Sequence, residues 1–117
     1  MNIKTVGYYS IFIGIAVIAM WTMILFTQNP PEGKTELIFH LFSEFLMAIL
    51  CVFSGILILK KKAFGKSLNI LALGMVIYSV LNAAGYYGEN NEVQLMIMFI
   101  VLSILTSIAV IINIKIL

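Results

Sequence analysis

Apolar positions along this chain neither alternate nor form one-sided stripes. They continue without a break for twenty residues or more at a time. Three short polar clusters interrupt them: Gln28-Asn29-Pro30-Pro31-Glu32-Gly33, Lys60-Lys61-Lys62 and Gly88-Glu89-Asn90-Asn91. Uninterrupted runs of about 18 or more apolar residues are long enough to cross the hydrocarbon core of a bilayer as helices. The pattern therefore predicts an all-α protein: an integral membrane four-helix antiparallel bundle, one domain over residues 1–117, with spans near residues 6–27, 35–59, 67–85 and 93–114. The paired prolines cannot continue a helix and end the first span. Glu36 suits the positive end of the second helix. Gly65 and Ser67 suggest a break and an N-cap for the third, and Gly85 its C-terminal stop. Short connections make successive helices antiparallel neighbours. The segments are twice too long for barrel strands and do not alternate.

Composition agrees with the pattern. Hydrophobic residues make up 62% of the chain and charged residues 10%, against roughly half and a quarter in a soluble domain. Mean hydropathy is +1.12. The first apolar run is longer than the core of a signal peptide, about 7–15 residues, and no A-x-A site follows it, so it reads as a retained helix.

Net charge, +2, conceals an asymmetry. With four spans, Lys4, Lys60, Lys61, Lys62, Lys66 and Lys115 fall on one side, and only Lys34 falls on the other with Glu32, Glu36, Glu89 and Glu92. The positive-inside rule then places both termini and the Lys60–Lys62 loop in the cytoplasm of a multi-pass cell-membrane protein. The lysine run reads first as a topological anchor and second as a contact for anionic lipid. The chain contains no Arg and no basic-aromatic patch, so nucleic-acid partners are not expected. Its single Cys51 supports neither a disulfide nor a zinc knuckle.

Ionisable side chains at bilayer depth cost at least ~2.5–3.5 kcal/mol on insertion scales, so the few polar residues inside the spans carry the functional signal. His40 and Glu44 stand four residues apart on the second span, and share a face. Tyr78, Asn82 and Tyr86 repeat at the same spacing on the third. At 1.5 Å per residue, His40 and Glu44 lie about 6 and 12 Å below the outer end, and Asn82 and Tyr78 match them in depth. Trp21 and Thr22 on the first span fall in the same layer. If the two stripes face each other, the outer half holds a polar cavity, with an inner half mostly of Ile, Leu, Val and small residues.

Two readings of Glu44 follow. It is a structural acid bonded to His40 or Asn82, or a group that binds a proton, cation or ligand. In the second reading His40 partners it as the other candidate catalytic residue, Asn82 and Tyr78 orient a small or lipid-like ligand, and Trp21 and Tyr86 line the mouth. The plainer reading of Tyr86 and Tyr87 is an interfacial aromatic belt. One histidine and one carboxylate make at most half a metal site, so no metal is assigned, and no cofactor is identified. H-E-x-x-H, G-x-S-x-G and P-loop motifs are lacking, and catalysis is undecided. Ser10-xxx-Gly14, Ser79-xxx-Ala83 and Ser103-xxx-Ser107 are small-residue patterns that allow close helix approach.

In size and span count the chain resembles the small multidrug resistance transporters, which work as dimers of four-helix chains. That family's essential membrane acid lies in its first span, whereas here the acid is Glu44 in the second, so no residue carries over. The resemblance implies an alternative function, a proton- or cation-coupled transporter dimerised around Glu44. A third alternative is an accessory subunit whose exposed helix faces bind a larger membrane complex.

Overall fold

The computed structural model describes residues 2–27 and 33–116. The expected turn at Gln28-Asn29-Pro30-Pro31-Glu32 lies outside those residues. Four α-helices make up the described chain: α1 (Ile3–Thr27), α2 (Lys34–Leu59), α3 (Ala63–Glu89) and α4 (Val93–Ile116). All four are long and apolar enough to cross a membrane. The molecule measures 41 × 26 × 19 Å, and a 25-residue helix alone extends about 38 Å, so the helices lie along its long axis.

The two described turns are built alike. Each pairs the amide of the third turn residue with a carbonyl five residues back, Lys62 N–H to Leu57 O at 3.0 Å and Glu92 N–H to Tyr87 O at 2.8 Å. The middle residue of each is left-handed, Lys61 at φ 59° and Asn91 at φ 63°. This is the Schellman ending, which satisfies the last carbonyls of one helix while reversing the chain. Such compact turns make α2, α3 and α4 antiparallel. All lysines but Lys34 therefore gather at one end, here the lysine end, and Glu36, Glu89 and Glu92 lie at the opposite, far end.

Helix boundaries differ from expectation in α3. It begins at Ala63, not Ser67, with Lys62 in the N-cap position and no side-chain cap. Gly65 is not a break but a contact. A Cβ there would stand 2.7 Å from Leu57 Cβ and 2.9 Å from the Ile58 nitrogen, so a hydrogen is all that fits where α3 leaves α2. Gly85 does not stop α3, which continues to Glu89. Glycine is costly inside a helix by only about 1 kcal/mol, and propensity yields to a favourable apolar run.

Helix α1 packs on α2, α2 on α3 and α3 on α4, while α4 closes more loosely against α1. The α1–α2 seam is tight because both faces are made of small residues. A Cβ on Gly14 would lie 2.7 Å from the Ala48 carbonyl oxygen, and one on Gly55 would lie 2.7 Å from the Gly7 carbonyl oxygen. Small-residue contact is how helices associate in a solvent as apolar as themselves. The core is correspondingly modest: Val6, Ile13, Met47, Cys51, Ile58, Ala72, Leu73, Val76 and Ala109. Large apolar side chains such as Phe12, Phe26, Phe39, Phe42, Phe64 and Ile104 point outward along the whole length. A soluble monomer rarely exposes contiguous apolar patches beyond a few hundred Å².

Candidate functional site

Toward the far end, α1, α2 and α3 bring four of their polar side chains into one cluster. One turn of α2 aligns His40 with Glu44, and the His40 Nε2 stands 3.4 Å from Glu44 Oε1. From α3, the Ser79 hydroxyl donates to the same Oε1 at 2.8 Å. From α1, the Trp21 ring meets the His40 ring edge-on, with centroids 4.9 Å apart and planes at 76°. The Glu44 side chain is 12% exposed and that of His40 39%, so the acid is sheltered and the imidazole lies nearer the surface.

The cluster has spare hydrogen-bonding capacity on both sides. Trp21 is 8% exposed, yet its buried indole N–H has no hydrogen-bond acceptor among the described residues. Both contacts to Glu44 fall on Oε1. A carboxylate can accept at about four positions, and among the described residues its Oε2 takes none. A buried donor without an acceptor costs about 1–3 kcal/mol, so an orphaned indole N–H in the same cluster as a half-used carboxylate is a feature to be explained. Ionic and hydrogen-bonding partners converge here on a proton-exchangeable acid, and that set can hold a polar group bearing both an acceptor and a donor.

The other expected participants lie elsewhere. Tyr78 is 72% exposed, and Asn82 is exposed beside it on the outer surface of α3. The stripe of Tyr78, Asn82 and Tyr86 therefore faces outward, and the cavity expected between that stripe and the His40–Glu44 pair does not form. The α3 residue that meets Glu44 is Ser79, one position round the helix from Tyr78. A shift of one residue is a rotation of about 100°, enough to exchange the inside for the outside. Tyr86 is exposed and stands edge-on to Tyr87 at 5.2 Å, and Tyr87 stacks on Phe99 of α4 at 5.5 Å. No group of three His, Cys, Asp or Glu side chains that could hold a metal occurs among the described residues.

A second polar assembly, unforeseen in the sequence, lies near the lysine end and draws on all four helices. Asn69 of α3 is its hub. Its Nδ2 donates to Ser10 Oγ of α1 at 2.8 Å and to Ser54 Oγ of α2 at 3.0 Å. Both hydroxyls pass their own hydrogens to the Cys51 carbonyl, at 2.7 and 3.3 Å. From α4, Asn113 Nδ2 donates to Asn69 Oδ1 and to the Lys66 carbonyl, each at 3.1 Å. Ser10, Ser54, Asn69 and Asn113 are all fully buried. Beside this network, Tyr9 and Thr106 oxygens lie 2.7 Å apart. Thr106 already donates to the Leu102 carbonyl, so Tyr9 is the donor that ties α1 to α4. The half expected to be Ile, Leu, Val and small residues thus contains the most connected polar network of the described chain. Asn69 and Asn113 follow or precede a lysine closely, which makes them look like headgroup residues. In the structure Asn69 is in line with Ala72, Leu73 and Val76, and Asn113 with Ala109 and Thr106, at the helical spacing of the buried face, but helices apolar on every side carry no contrast in the sequence that marks that face.

Among comparisons with known proteins, one family model matches, described as Domain of unknown function (DUF8058), over residues 1–117. No curated protein and no solved structure matches the chain.

Proposed function

This chain belongs to the DUF8058 family, whose description assigns no activity, and we propose from its own residues that it is a multi-pass membrane protein that binds a small or lipid-like ligand at the Trp21–His40–Glu44–Ser79 cluster. The lysine end lies in the cytoplasm, and the cluster in the outer half of the bilayer. Four apolar helices with their large side chains turned outward support insertion. Six lysines at one end support the orientation.

The observation that carries the site is the Trp21 N–H, without an acceptor among the described residues, on a ring packed against the same His40 that meets a glutamate using one oxygen. The ligand that fits this set offers an acceptor to the indole and a hydroxyl or amine to Glu44 Oε2. Ser79 and His40 hold the other oxygen and fix the carboxylate, the pre-organisation that binding sites need. Structural glue would not need an ionisable group, since the Ser–Asn network near the lysine end bonds its helices with neutral side chains alone.

Native mass spectrometry on protein released in mild detergent tests this reading against a His40→Ala/Glu44→Gln double variant. A discrete extra mass on the natural chain, absent from the variant, is the expected result. Apo masses for both, with unchanged emission of the lone Trp21 when membrane lipid extract is added, would sink it. Orientation has its own test: Lys60→Cys and Asn91→Cys proteins in intact cells, treated with a membrane-impermeant maleimide. Only the cysteine at position 91 is expected to react.

A further inference from the structure

At the lysine end, the α2–α3 turn and the start of α1 enclose a groove of about 340 Å³ lined by Ile3, Ile58, Lys61, Lys62, Ala63 and Lys66. We infer that this groove binds the phosphate headgroup of an anionic membrane lipid, with Lys61, Lys62 and Lys66 around the phosphate and Ile3 and Ile58 against the adjoining apolar part. The inference rests on the membrane reading proposed above and is independent of the Glu44 cluster.

Charge is the first argument. Three lysines line one small groove, and no carboxylate side chain lies at this end of the described chain. Among the described residues none of these lysines has an ion-pair partner. An anion brought to this groove would balance their charge, and the cytoplasmic leaflet supplies one in its acidic lipids. Backbone conformation is the second argument. Lys61 sits at φ 59°, where glycine or asparagine is the economical choice and where the matching α3–α4 turn does have an asparagine, Asn91 at φ 63°. A lysine kept in that conformation points to a use for its charge.

The groove is also held rigid. Asn113 fixes the Lys66 carbonyl at 3.1 Å, the Schellman bonds fix Lys61 and Lys62, and Gly65 presses on Leu57 and Ile58. Lys66 is half-buried and Ile58 is buried below the lysines. An apolar wall next to a cationic one matches a phospholipid, whose phosphate is joined to hydrocarbon, better than a free phosphate ion.

The test compares three proteins in neutral detergent by native mass spectrometry as phosphatidylglycerol or phosphatidylcholine is added. They are the natural chain, Lys61→Gln/Lys62→Gln/Lys66→Gln, and Lys4→Gln/Lys60→Gln/Lys115→Gln, which loses the same charge outside the groove. One phosphatidylglycerol should be retained by the natural chain and the control, about tenfold or more weaker in the groove variant, with no retained phosphatidylcholine. Equal loss in both triple variants would reduce the effect to general electrostatics and overturn the site. Displacement of the lipid by millimolar inorganic phosphate would overturn the lipid as occupant. If the groove triple does not fold, exposed Lys62→Glu carries the same expectation. A chain found in the soluble fraction would refute the membrane reading itself, whereas a membrane-inserted chain that retains no phosphatidylglycerol refutes the groove alone.

Discussion

The two polar regions of this bundle solve opposite problems. Near the lysine end, Ser10, Ser54, Asn69 and Asn113 are neutral, fully buried and bonded across four helices. Their hydrogens run in one direction, from Asn113 to Asn69 to the two serines to the Cys51 carbonyl. Toward the far end, Trp21, His40 and Glu44 include two ionisable groups, both partly exposed, and leave a buried indole N–H without an acceptor among the described residues. A neutral, fully buried network bonded across every helix suits holding helices in register, although one of its acceptors, Asn113 Oδ1, has no partner among the described residues. An ionisable, partly exposed one suits meeting something else. The difference teaches that polarity inside an apolar bundle is not one signal: ionisable character and exposure, more than saturation, separate the residues that hold the fold from those available to a ligand.

Breaking both regions together should give the largest effect. Gly14 lies between Ser10 and Trp21 on α1, and a Cβ there meets the Ala48 carbonyl and Val52 Cγ2 at 2.7 and 2.6 Å. Gly14→Val should part α1 from α2 and cost about 3 kcal/mol or more, read by denaturant titration of helicity in mixed micelles. Asn69→Ala addresses the first region alone. It leaves Asn113 bonded only to the Lys66 carbonyl and removes three interhelical bonds, so a loss of about 1–3 kcal/mol is expected, toward the lower part because separated helices in an apolar solvent find other partners. A change below measurement error would mean that the network is not holding the helices.

Glu44→Gln sharpens the contrast. Glutamine still accepts from Ser79, so stability should change by less than about 1 kcal/mol while the bound mass is lost. If Glu44→Gln unfolds the chain as Asn69→Ala does, the two regions are not different in kind. Trp21→Phe keeps the ring against His40 and deletes the orphaned donor. Its stability should stay equal or rise by about 1 kcal/mol, with ligand retention reduced, and an unaffected ligand would separate Trp21 from the site. The smallest effect concerns Lys61→Gly, which removes the left-handed lysine. It should stabilise the fold by up to about 1 kcal/mol and weaken lipid retention, so a destabilised Lys61→Gly would undo the argument from its conformation.

Some of this was legible before any coordinates. Run length and three polar breaks gave the number and type of helices, because crossing hydrocarbon is a constraint on consecutive residues. Lysine placement marked the two ends for the same reason, once an even number of helices is granted. The i, i+4 pairing of His40 with Glu44 also followed from helix geometry alone. Helix ends were less legible in α3, where glycine and serine suggested stops that the apolar run overrode.

Which face of each helix turns inward was not legible, and Ser79, Tyr78, Asn82, Asn69 and Asn113 show why. In a soluble helix the apolar face must be the buried one, so periodicity points to the core. In a helix apolar on every side, that contrast disappears, and inwardness is set by fit: glycine against carbonyl at Gly14 and Gly55, amide against hydroxyl at Asn69. Those contacts join residues 34 to 59 positions apart in the chain. Local pattern therefore settled four apolar helices with one lysine-rich end, whereas the choice of Ser79 over Tyr78, and the full burial of one polar region beside the partial exposure of the other, came from packing between helices.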